Sequence, residues 1–256
     1  MRLSIRSSKG GVGKSTIAIS LAKTFAYEGH YVLLMDRDIV GYASYLAGIR
    51  GPGLVTSLAE GKDVDVIREF PLGKGSITVL KYFGDGPRYK LDLEKIHRDK
   101  ELMNVGWKYY NEFLARKKYS YFIVDNAPMV MPNDEINRYE HMQFKSLFPD
   151  IPIKYLVVSD SLAQTIEDNV KYAKVLSSLN QEILSFIINM IRPQDLLSYE
   201  NIVRRVMTEL RCGIGVLIPF NEELFQFSGD IEEFPVPQQV KELAKRIRAG
   251  EQGIIS

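Results

Sequence analysis

A cluster of glycine, lysine and hydroxyl residues near the N-terminus has the composition of a phosphate-binding loop. It runs Ser8-Lys9-Gly10-Gly11-Val12-Gly13-Lys14-Ser15-Thr16. Glycines at this density let a loop wrap so that successive backbone N–H groups point inward at phosphate oxygens. Lys14 adds a full positive charge for the β- and γ-phosphates, and Ser15 adds a hydroxyl ligand for Mg²⁺. The predicted ATP contacts are therefore Gly10, Gly11, Val12, Gly13, Lys14, Ser15 and Thr16.

The segments on either side of this loop predict the elements that must hold it. Residues 2–7 alternate apolar and polar side chains, which is typical of a short strand. Residues 15–28 predict a helix that ends at Gly29, and residues 31–36 are an apolar run that ends on an acid. A flexible glycine turn alone would not explain Lys-Ser-Thr at the start of a helix. The loop therefore has the strand–loop–helix context of a nucleotide site, with a helix N-terminus facing the phosphates.

Three acidic residues follow apolar strands of the same predicted sheet. Asp36 and Asp38 come after the second strand, and Asp125 ends the apolar run at 121–125. One such acid by itself is usually just solvated. Because ligands bind at the carboxyl ends of parallel strands, three acids in this position indicate a common site.

Apolar strand-like runs alternate with helical patterns along the rest of the chain. Strands are predicted at 77–80, 121–125, 155–158, 186–189 and, as the last strand, 215–218; helices are predicted at 100–117, 162–179 and 237–249. The polar segment 128–152 predicts a surface excursion with one helix near 135–147. This alternation predicts an α/β fold, a doubly wound and mainly parallel sheet flanked by helices, as one domain over residues 1–256.

Composition limits the partners that the protein can have. Lys and Arg number 33 against 32 Asp and Glu, so no global field draws the protein to DNA or to an anionic membrane, and such binding needs a local patch. The chain has one cysteine, Cys212, which excludes an internal disulfide and a thiolate cluster. Together with apolar runs too short to span a bilayer, this predicts a cytoplasmic protein.

The phosphate loop departs from the common Walker pattern in an informative way. Ser8 replaces the usual first glycine, and a second lysine, Lys9, precedes the glycine pair. This form resembles the deviant Walker motif of the MinD/ParA family of P-loop ATPases. The resemblance implies that two subunits clamp two ATP molecules as a homodimer, with Lys9 reaching the partner's nucleotide as a catalytic residue alongside Lys14.

The acids also have counterparts in that family. Asp36-Arg37-Asp38 resembles the family's D-x-D, which implies that Asp36 lies in the Mg²⁺ shell with Ser15 and that Asp38 orients the attacking water. Asp125 in Ile-Val-Asp-Asn-Ala-Pro is similar to the family's Walker B acid, which holds the metal through water. Asn126 stands where the family often has threonine.

Three residues further along resemble the family's adenine site. Asn189 ends an apolar strand, and its amide could both donate to and accept from the base, while Pro219 and Phe220 resemble the loop that flanks adenine. An asparagine that caps the next turn explains Asn189 nearly as well.

These patterns predict an ATP-hydrolysing, dimerising switch that positions or partitions a cellular cargo, with a protein activator or cargo adaptor as partner. DNA or membrane is a candidate surface. A basic stripe that could contact DNA consists of Arg204, Arg205 and Arg211, although these residues fit a solvated face as well. The short apolar face at 240–247 favours a packing helix over a membrane anchor. The alternative is a small-molecule kinase similar to dethiobiotin synthetase, and a third possibility is a nucleotide-bound scaffold without turnover. A lone cysteine argues against relatives such as nitrogenase iron protein.

Overall fold

A nine-stranded sheet forms the centre of the molecule. The structure is a computed structural model that describes the backbone of residues 1–256 and all side chains except those of residues 135 and 136. The strands are β1 (Arg2–Arg6), β2 (Tyr31–Arg37), β3 (Ile67–Leu72), β4 (Gly75–Lys81), β5 (Tyr121–Asn126), β6 (Ile153–Ser159), β7 (Ile183–Ile191), β8 (Ile214–Pro219) and β9 (Gly253–Ile255). Their order is β3-β4-β2-β5-β1-β6-β7-β8-β9. The pair β3–β4 is antiparallel, whereas the other neighbours are parallel.

Helices cover both faces of this sheet. They are α1 (Lys14–Tyr27), α2 (Tyr42–Leu46), α3 (Leu54–Glu60), α4 (Tyr89–Arg98), α5 (Lys100–Ala115), α6 (Glu135–Leu147), α7 (Ala163–Ser178), α8 (Leu196–Leu210), α9 (Glu222–Phe225) and α10 (Gln238–Ala249). Alternate residues of each strand face opposite sides, so the central strands are apolar on both. One side packs on α1 and α10, and the other on α3 to α8. The predicted doubly wound α/β fold is confirmed.

The predicted strands and helices coincide with observed elements, but the helices α2, α3, α4, α8 and α9 were not predicted. The strands that differ from the prediction lie at the sheet edges. β3 was not predicted because it is half-exposed and contains Pro71, which an edge strand tolerates. The prediction that 215–218 is the last strand is wrong, since β9 follows and pairs with β8. Leu162, predicted within a helix, precedes α7 and is 59% exposed.

The C-terminal helix packs against the domain. The apolar residues of α10 (Val240, Leu243, Ala244 and Ile247) are all buried, and they join the same core as α1. Beyond α10, Ile255 of β9 is also buried. The prediction of a packing helix is therefore confirmed. Among the residues that the structure describes, no helix is long and apolar enough to cross a bilayer.

Candidate nucleotide site

The phosphate loop connects the end of β1 to the start of α1. Gly11 and Gly13 have φ angles of 77° and 96°, a region that residues with a Cβ adopt only under strain. A Cβ built on Gly13 would lie 2.2 Å from Nδ2 of Asn189. Glycine at position 13 is therefore required twice, by the backbone angle and by the side chain packed against it.

Side chains from two distant elements fasten this loop. The backbone N–H of Ser8 donates to Oδ1 of Asn169 at 2.7 Å, and Nδ2 of Asn189 donates to the carbonyl oxygen of Val12 at 3.0 Å. Asn169 lies on α7 and is fully buried. Sequence reasoning missed it, although a polar residue on the apolar face of a predicted helix was a usable signal. The loop is thus preorganised by hydrogen bonds from α7 and β7.

The two lysines of the loop point in different directions. Lys14 is buried at 4% exposure and lines the cleft, with its Nζ 3.5 Å from the carbonyl oxygen of Lys9. The side chain of Lys9 is 54% exposed, and its Nζ lies 3.5 Å from Oδ2 of Asp160. Lys9 lies outside the cleft beside Met129 and α7. Only Lys14 can therefore serve a nucleotide in this subunit without a change of Lys9 rotamer.

Asp36 and Asp125 are register partners on the adjacent strands β2 and β5, and both are fully buried. Oδ2 of Asp36 accepts from the backbone N–H and the hydroxyl of Ser44, at 2.8 and 2.7 Å, and Oδ1 accepts from the N–H of Asp38 at 3.2 Å. Burial raises the pKa of Asp36 despite these hydrogen bonds. Asp36 therefore fixes the start of α2 and the backbone of Asp38.

Asp125 is in a different state, because neither of its buried carboxylate oxygens has a partner with hydrogen-bonding geometry. Burial and then the nearby Asp36 raise the pKa of Asp125, while the Ser15 hydroxyl and the Lys14 ammonium oppose that rise. An orphaned carboxylate beside a lysine and a serine is a good match for a hydrated cation. The Ser15 hydroxyl and the Asp125 carboxylate are donors of the kind that fit Mg²⁺.

The chain offers few metal-binding side chains around this carboxylate. Within the described part of the chain, no group of three or more His, Cys, Asp or Glu side chains could hold a metal ion. Mg²⁺ does not require such a group, because it keeps several waters and binds through few carboxylates together with substrate phosphates.

Asp38 is a third acid near the phosphate loop. Its side chain is half-buried and lines the cleft together with Ile39 and Val40. Oδ1 accepts a hydrogen bond from the N–H of Val40 at 2.9 Å, which leaves Oδ2 available to a water. Asp38 is thus held at the cleft by its own loop.

The cleft has a volume of about 470 Å³, within the range of small-ligand sites. Its lining also includes Asn189, Pro219 and Phe220, together with Phe225 of α9, which sequence reasoning missed. The rings of Phe220 and Phe225 are 5.7 Å apart and inclined at 51°. Met190 has a positive φ of 60° at an irregularity between β7 and β8, which places Asn189 against the phosphate loop. An aromatic, partly polar end of this kind can hold a planar base.

Asn126 contributes to the sheet and not to the cleft. Its Nδ2 donates to the hydroxyl of Ser4 at 3.1 Å and to the carbonyl oxygens of Ile5 and Val124 at 3.0 and 3.1 Å. Because side chains alternate along a strand, Asn126 lies on the opposite face from Asp125. Its amide thus ties β5 to β1 behind the site.

A glycine-rich loop between a strand and a helix, with a buried lysine and paired strand-end acids, defines a P-loop nucleotide-binding protein. Residues 3–231 match the family described as CbiA, the CobQ/CobB/MinD/ParA nucleotide binding domain, and the chain belongs to this family.

Two curated proteins match short segments of the chain. The chromosome-partitioning ATPase Soj of Thermus thermophilus is 41% identical over 64 residues, which are 25% of this chain and 26% of Soj. A cytosolic Fe-S cluster assembly factor, the NUBP2 homolog of Culex quinquefasciatus, is 48% identical over 48 residues, 18% of this chain and 19% of that protein. The chain therefore aligns with only about a quarter or less of these relatives' length.

Solved structures match over nearly the whole chain. The cell division protein MinD of Aquifex aeolicus is 21% identical, covers 100% of this chain and 99% of its own, and has a TM-score of 0.63. Apo McdA of Cyanothece is 17% identical, with coverages of 96% and 98% and a TM-score of 0.64. MinD of Pyrococcus horikoshii, in complex with Mg-ADP, is 18% identical, with coverages of 96% and 95% and a TM-score of 0.58. At these identities the likeness shows a shared fold.

Proposed function

We propose that this protein is an ATP-dependent switch that dimerises on ATP, hydrolyses it slowly and thereby positions or partitions a cellular cargo. The observation that carries the proposal is the divergence of the two loop lysines: Lys14 is buried in the cleft, whereas Lys9 is exposed and lies outside it. The subunit's own nucleotide needs only one of them. Lys9 is thus available to a second nucleotide across an interface.

The cleft takes ATP with Mg²⁺ in this proposal. Lys14 and the N–H groups of residues 10–16 hold the phosphates at the N-terminus of α1. Ser15 and, through water, Asp125 hold the metal, and Asp36 completes its surroundings while positioning Asp38. The bound metal supplies charge neutralisation of the phosphates. Asn189, Pro219 and Phe220 contact the base.

Hydrolysis depends on Asp38 as the residue that orients water. Phosphoryl transfer requires alignment and charge stabilisation more than covalent chemistry, so a fixed carboxylate at the phosphate end is sufficient. Asp38 meets this need because it lines the cleft and one of its oxygens is held by the N–H of Val40.

The surface around the cleft supports a homodimer. Two large apolar side chains that line the cleft are mostly exposed, Val40 at 75% and Phe225 at 72%. Met129, beside Lys9, is 60% exposed. Large exposed apolar side chains near one site are typical of an interaction surface. Two nucleotides facing each other concentrate negative charge, and a two-fold axis lets one lysine per subunit neutralise it. ATP binding is then linked to association.

The cargo and its partner are proposed from the relatives. Soj is a chromosome-partitioning ATPase, and one structural relative is a MinC:MinD cell division protein complex. We infer a protein activator or cargo adaptor for this chain, which acts as a single domain over residues 1–256 in the cytoplasm, where its buried thiol Cys212 stays reduced. DNA and membrane are the two surfaces to test.

Light scattering tests the dimer. Asp38→Asn with ATP should give twice the monomer mass, whereas ADP, or the addition of Lys9→Ala, should return it to monomer. Lys171→Ala is the matched control, because Lys171 is another exposed lysine near Lys9 on α7. Monomers under every condition would rule out the switch, and an ATP dimer indifferent to Lys9 would rule out its role in trans. Hydrolysis without any added metabolite separates this function from the small-molecule kinase.

A further inference from the structure

A network of charged side chains lies inside the protein behind the nucleotide cleft. Glu140 on α6 accepts hydrogen bonds from Nη1 and Nη2 of Arg2 at 2.9 and 2.7 Å, and from Nη1 of Arg37 at 3.0 Å. The hydroxyl of Tyr110 on α5 also donates to Glu140. These four residues are 0–3% exposed. One buried carboxylate thus joins two arginines and a tyrosine.

The two arginines belong to the strands that build the nucleotide site. Arg2 opens β1, whose other end becomes the phosphate loop, and Arg37 ends β2 between Asp36 and Asp38. Side chains alternate along a strand, so Arg37 points to the face opposite Asp36. Its guanidinium lies 5.4 Å from the ring centroid of Tyr82. The position of Arg37 therefore determines the position of the backbone that carries both acids.

Glu140 lies on the segment that follows Asp125 and β5. The segment 128–152 adds no strand to the sheet, yet α6 contributes a buried carboxylate that pairs with an arginine of β1 and an arginine of β2 across the intervening β5. A bidentate arginine–carboxylate pair is rigid and directional, and a buried charge without its partner is strongly unfavourable. The bidentate pair is that of Arg2 with Glu140, whereas Arg37 reaches Glu140 through Nη1 alone. Loss of the Glu140 charge would remove this charge-assisted hydrogen bond and weaken the hold on the guanidinium of Arg37.

We propose that Glu140 is a positioning residue that holds Asp36 and Asp38 in place relative to the phosphate loop, by fixing Arg37 and Arg2 from α6. Its effect on turnover rests on the ATPase function proposed above, whereas its effect on the backbone of residues 36–45 does not. The role of the segment 128–152 is then to tie the strand of the acids to the strand of the phosphate loop.

Three amides report directly on the position of the acids. The N–H groups of Asp38 and Ser44 donate to the carboxylate of Asp36, and the N–H of Val40 donates to Asp38. Hydrogen exchange of these amides slows only while the carboxylates stay in place. The exchange rate of residues 36–45 in the nucleotide-free protein therefore measures the positioning without any enzymatic activity.

The experiment compares Glu140→Gln with Tyr110→Phe. Glu140→Gln keeps the shape but removes the charge, whereas Tyr110→Phe removes one hydrogen bond to Glu140 and keeps every charge. We expect Glu140→Gln to speed exchange of residues 36–45 by about tenfold, the effect of losing one charge-assisted hydrogen bond. ATP turnover should fall by about tenfold with an ATP dissociation constant changed less than about threefold, since the acids move and the loop stays. Tyr110→Phe should leave both readouts near wild type.

A purely structural role gives a different result. Glu140→Gln would then lower the melting temperature and leave exchange of residues 36–45 unchanged, which overturns the proposal. If Glu140→Gln does not fold, Arg37→Gln replaces it, because the pair of Arg2 and Glu140 remains; unchanged exchange in that variant also overturns the proposal. A wild-type protein that binds ATP without hydrolysing it contradicts the proposed function alone, and the exchange measurement still decides the role of Glu140.

Discussion

At the scale of single residues, the phosphate loop depends on the missing side chain at position 13. Gly13→Ala would place a Cβ 2.2 Å from Nδ2 of Asn189 on a backbone with φ of 96°. We expect a loss of about 2 kcal/mol or more in the free energy of unfolding, from backbone strain and overpacking. Gly10→Ala is the control, because nothing lies within 4 Å of its added Cβ. Its effect should stay within about 0.5 kcal/mol. Urea denaturation without nucleotide compares the two, and equal losses would contradict the prediction.

Lys14 should carry the phosphate affinity of a single subunit. Lys14→Ala removes a buried charge that faces the cleft, so the phosphates lose a charge-assisted partner, and ATP binding should weaken by about 2 kcal/mol or more. Isothermal titration at protein concentrations that keep the chain monomeric measures this. Lys9→Ala should bind ATP like wild type in the same assay, since its side chain lies outside the cleft. Equal ATP affinity in Lys14→Ala and wild type would refute the site.

Asp38 is predicted to act in hydrolysis and not in binding. Asp38→Asn keeps an Oδ1 that can accept from the N–H of Val40, so the loop geometry should survive. The rate of phosphate release should fall at least about 100-fold, while the ATP dissociation constant stays near that of wild type. Asp168→Asn, on the exposed surface of α7, serves as the control for a lost negative charge. Wild-type turnover in Asp38→Asn would show that another group orients the water.

At the scale of elements, the attachment of α6 to the sheet should depend on pH. Burial by itself would raise the pKa of Glu140. The guanidinium groups of Arg2 and Arg37 outweigh this effect and lower that pKa from 4.5 to about 2. As the pH falls, Glu140 is protonated in the unfolded chain before it is protonated in the folded protein. The contribution of its carboxylate to the free energy of unfolding is therefore complete above about pH 4.5 and is lost towards pH 2. This contribution to the free energy of unfolding is about 3 kcal/mol.

The measurement is the free energy of unfolding of wild type and Glu140→Gln at a series of pH values. Because glutamine does not titrate, the stability gap between the two proteins should be largest near neutral pH and should shrink as the medium becomes acidic. A gap that stays constant with pH would show that the carboxylate charge of Glu140 contributes nothing to it.

At the scale of the whole molecule, the closure of the domain by α10 and β9 determines how it meets other surfaces. The apolar residues of α10 are already buried against α1, and Ile255 is buried in β9. Too little exposed apolar area remains there for stable membrane insertion. We expect no flotation with liposomes in the presence of ATP. Strong flotation that disappears when the chain is cut before Val236 would contradict this and indicate a membrane-anchored switch.

Much of the fold could be predicted from local sequence patterns. The central strands are continuous apolar runs because both of their faces are buried, and α1, α7 and α10 show helical periodicity for the same reason. The edge strands β3 and β9 lack such patterns, because one is half-exposed and the other has only three residues. Their pairing depends on neighbours that are distant in sequence.

The sequence by itself determined the phosphate loop, since the chemistry of residues 8–16 and the strand and helix around them are contiguous. The spacing of Asp36, Asp38 and Asp125 at strand ends likewise placed them at one edge of the sheet, and the register of β2 with β5 confirms that Asp36 and Asp125 are neighbours.

Only the tertiary structure decided how these parts are held. Arg37 and Glu140 are 103 positions apart, and Ser8 and Asn169 are 161 apart, so no local pattern links either pair. Lys9 lies outside the cleft, with its Nζ 3.5 Å from Oδ2 of Asp160, which directly follows β6. Long-range contacts of this kind depend on which faces of the helices and the sheet pack together and on the register of the strands. Side-chain alternation along β2 then assigns Asp36 to the cleft and Arg37 to the interior.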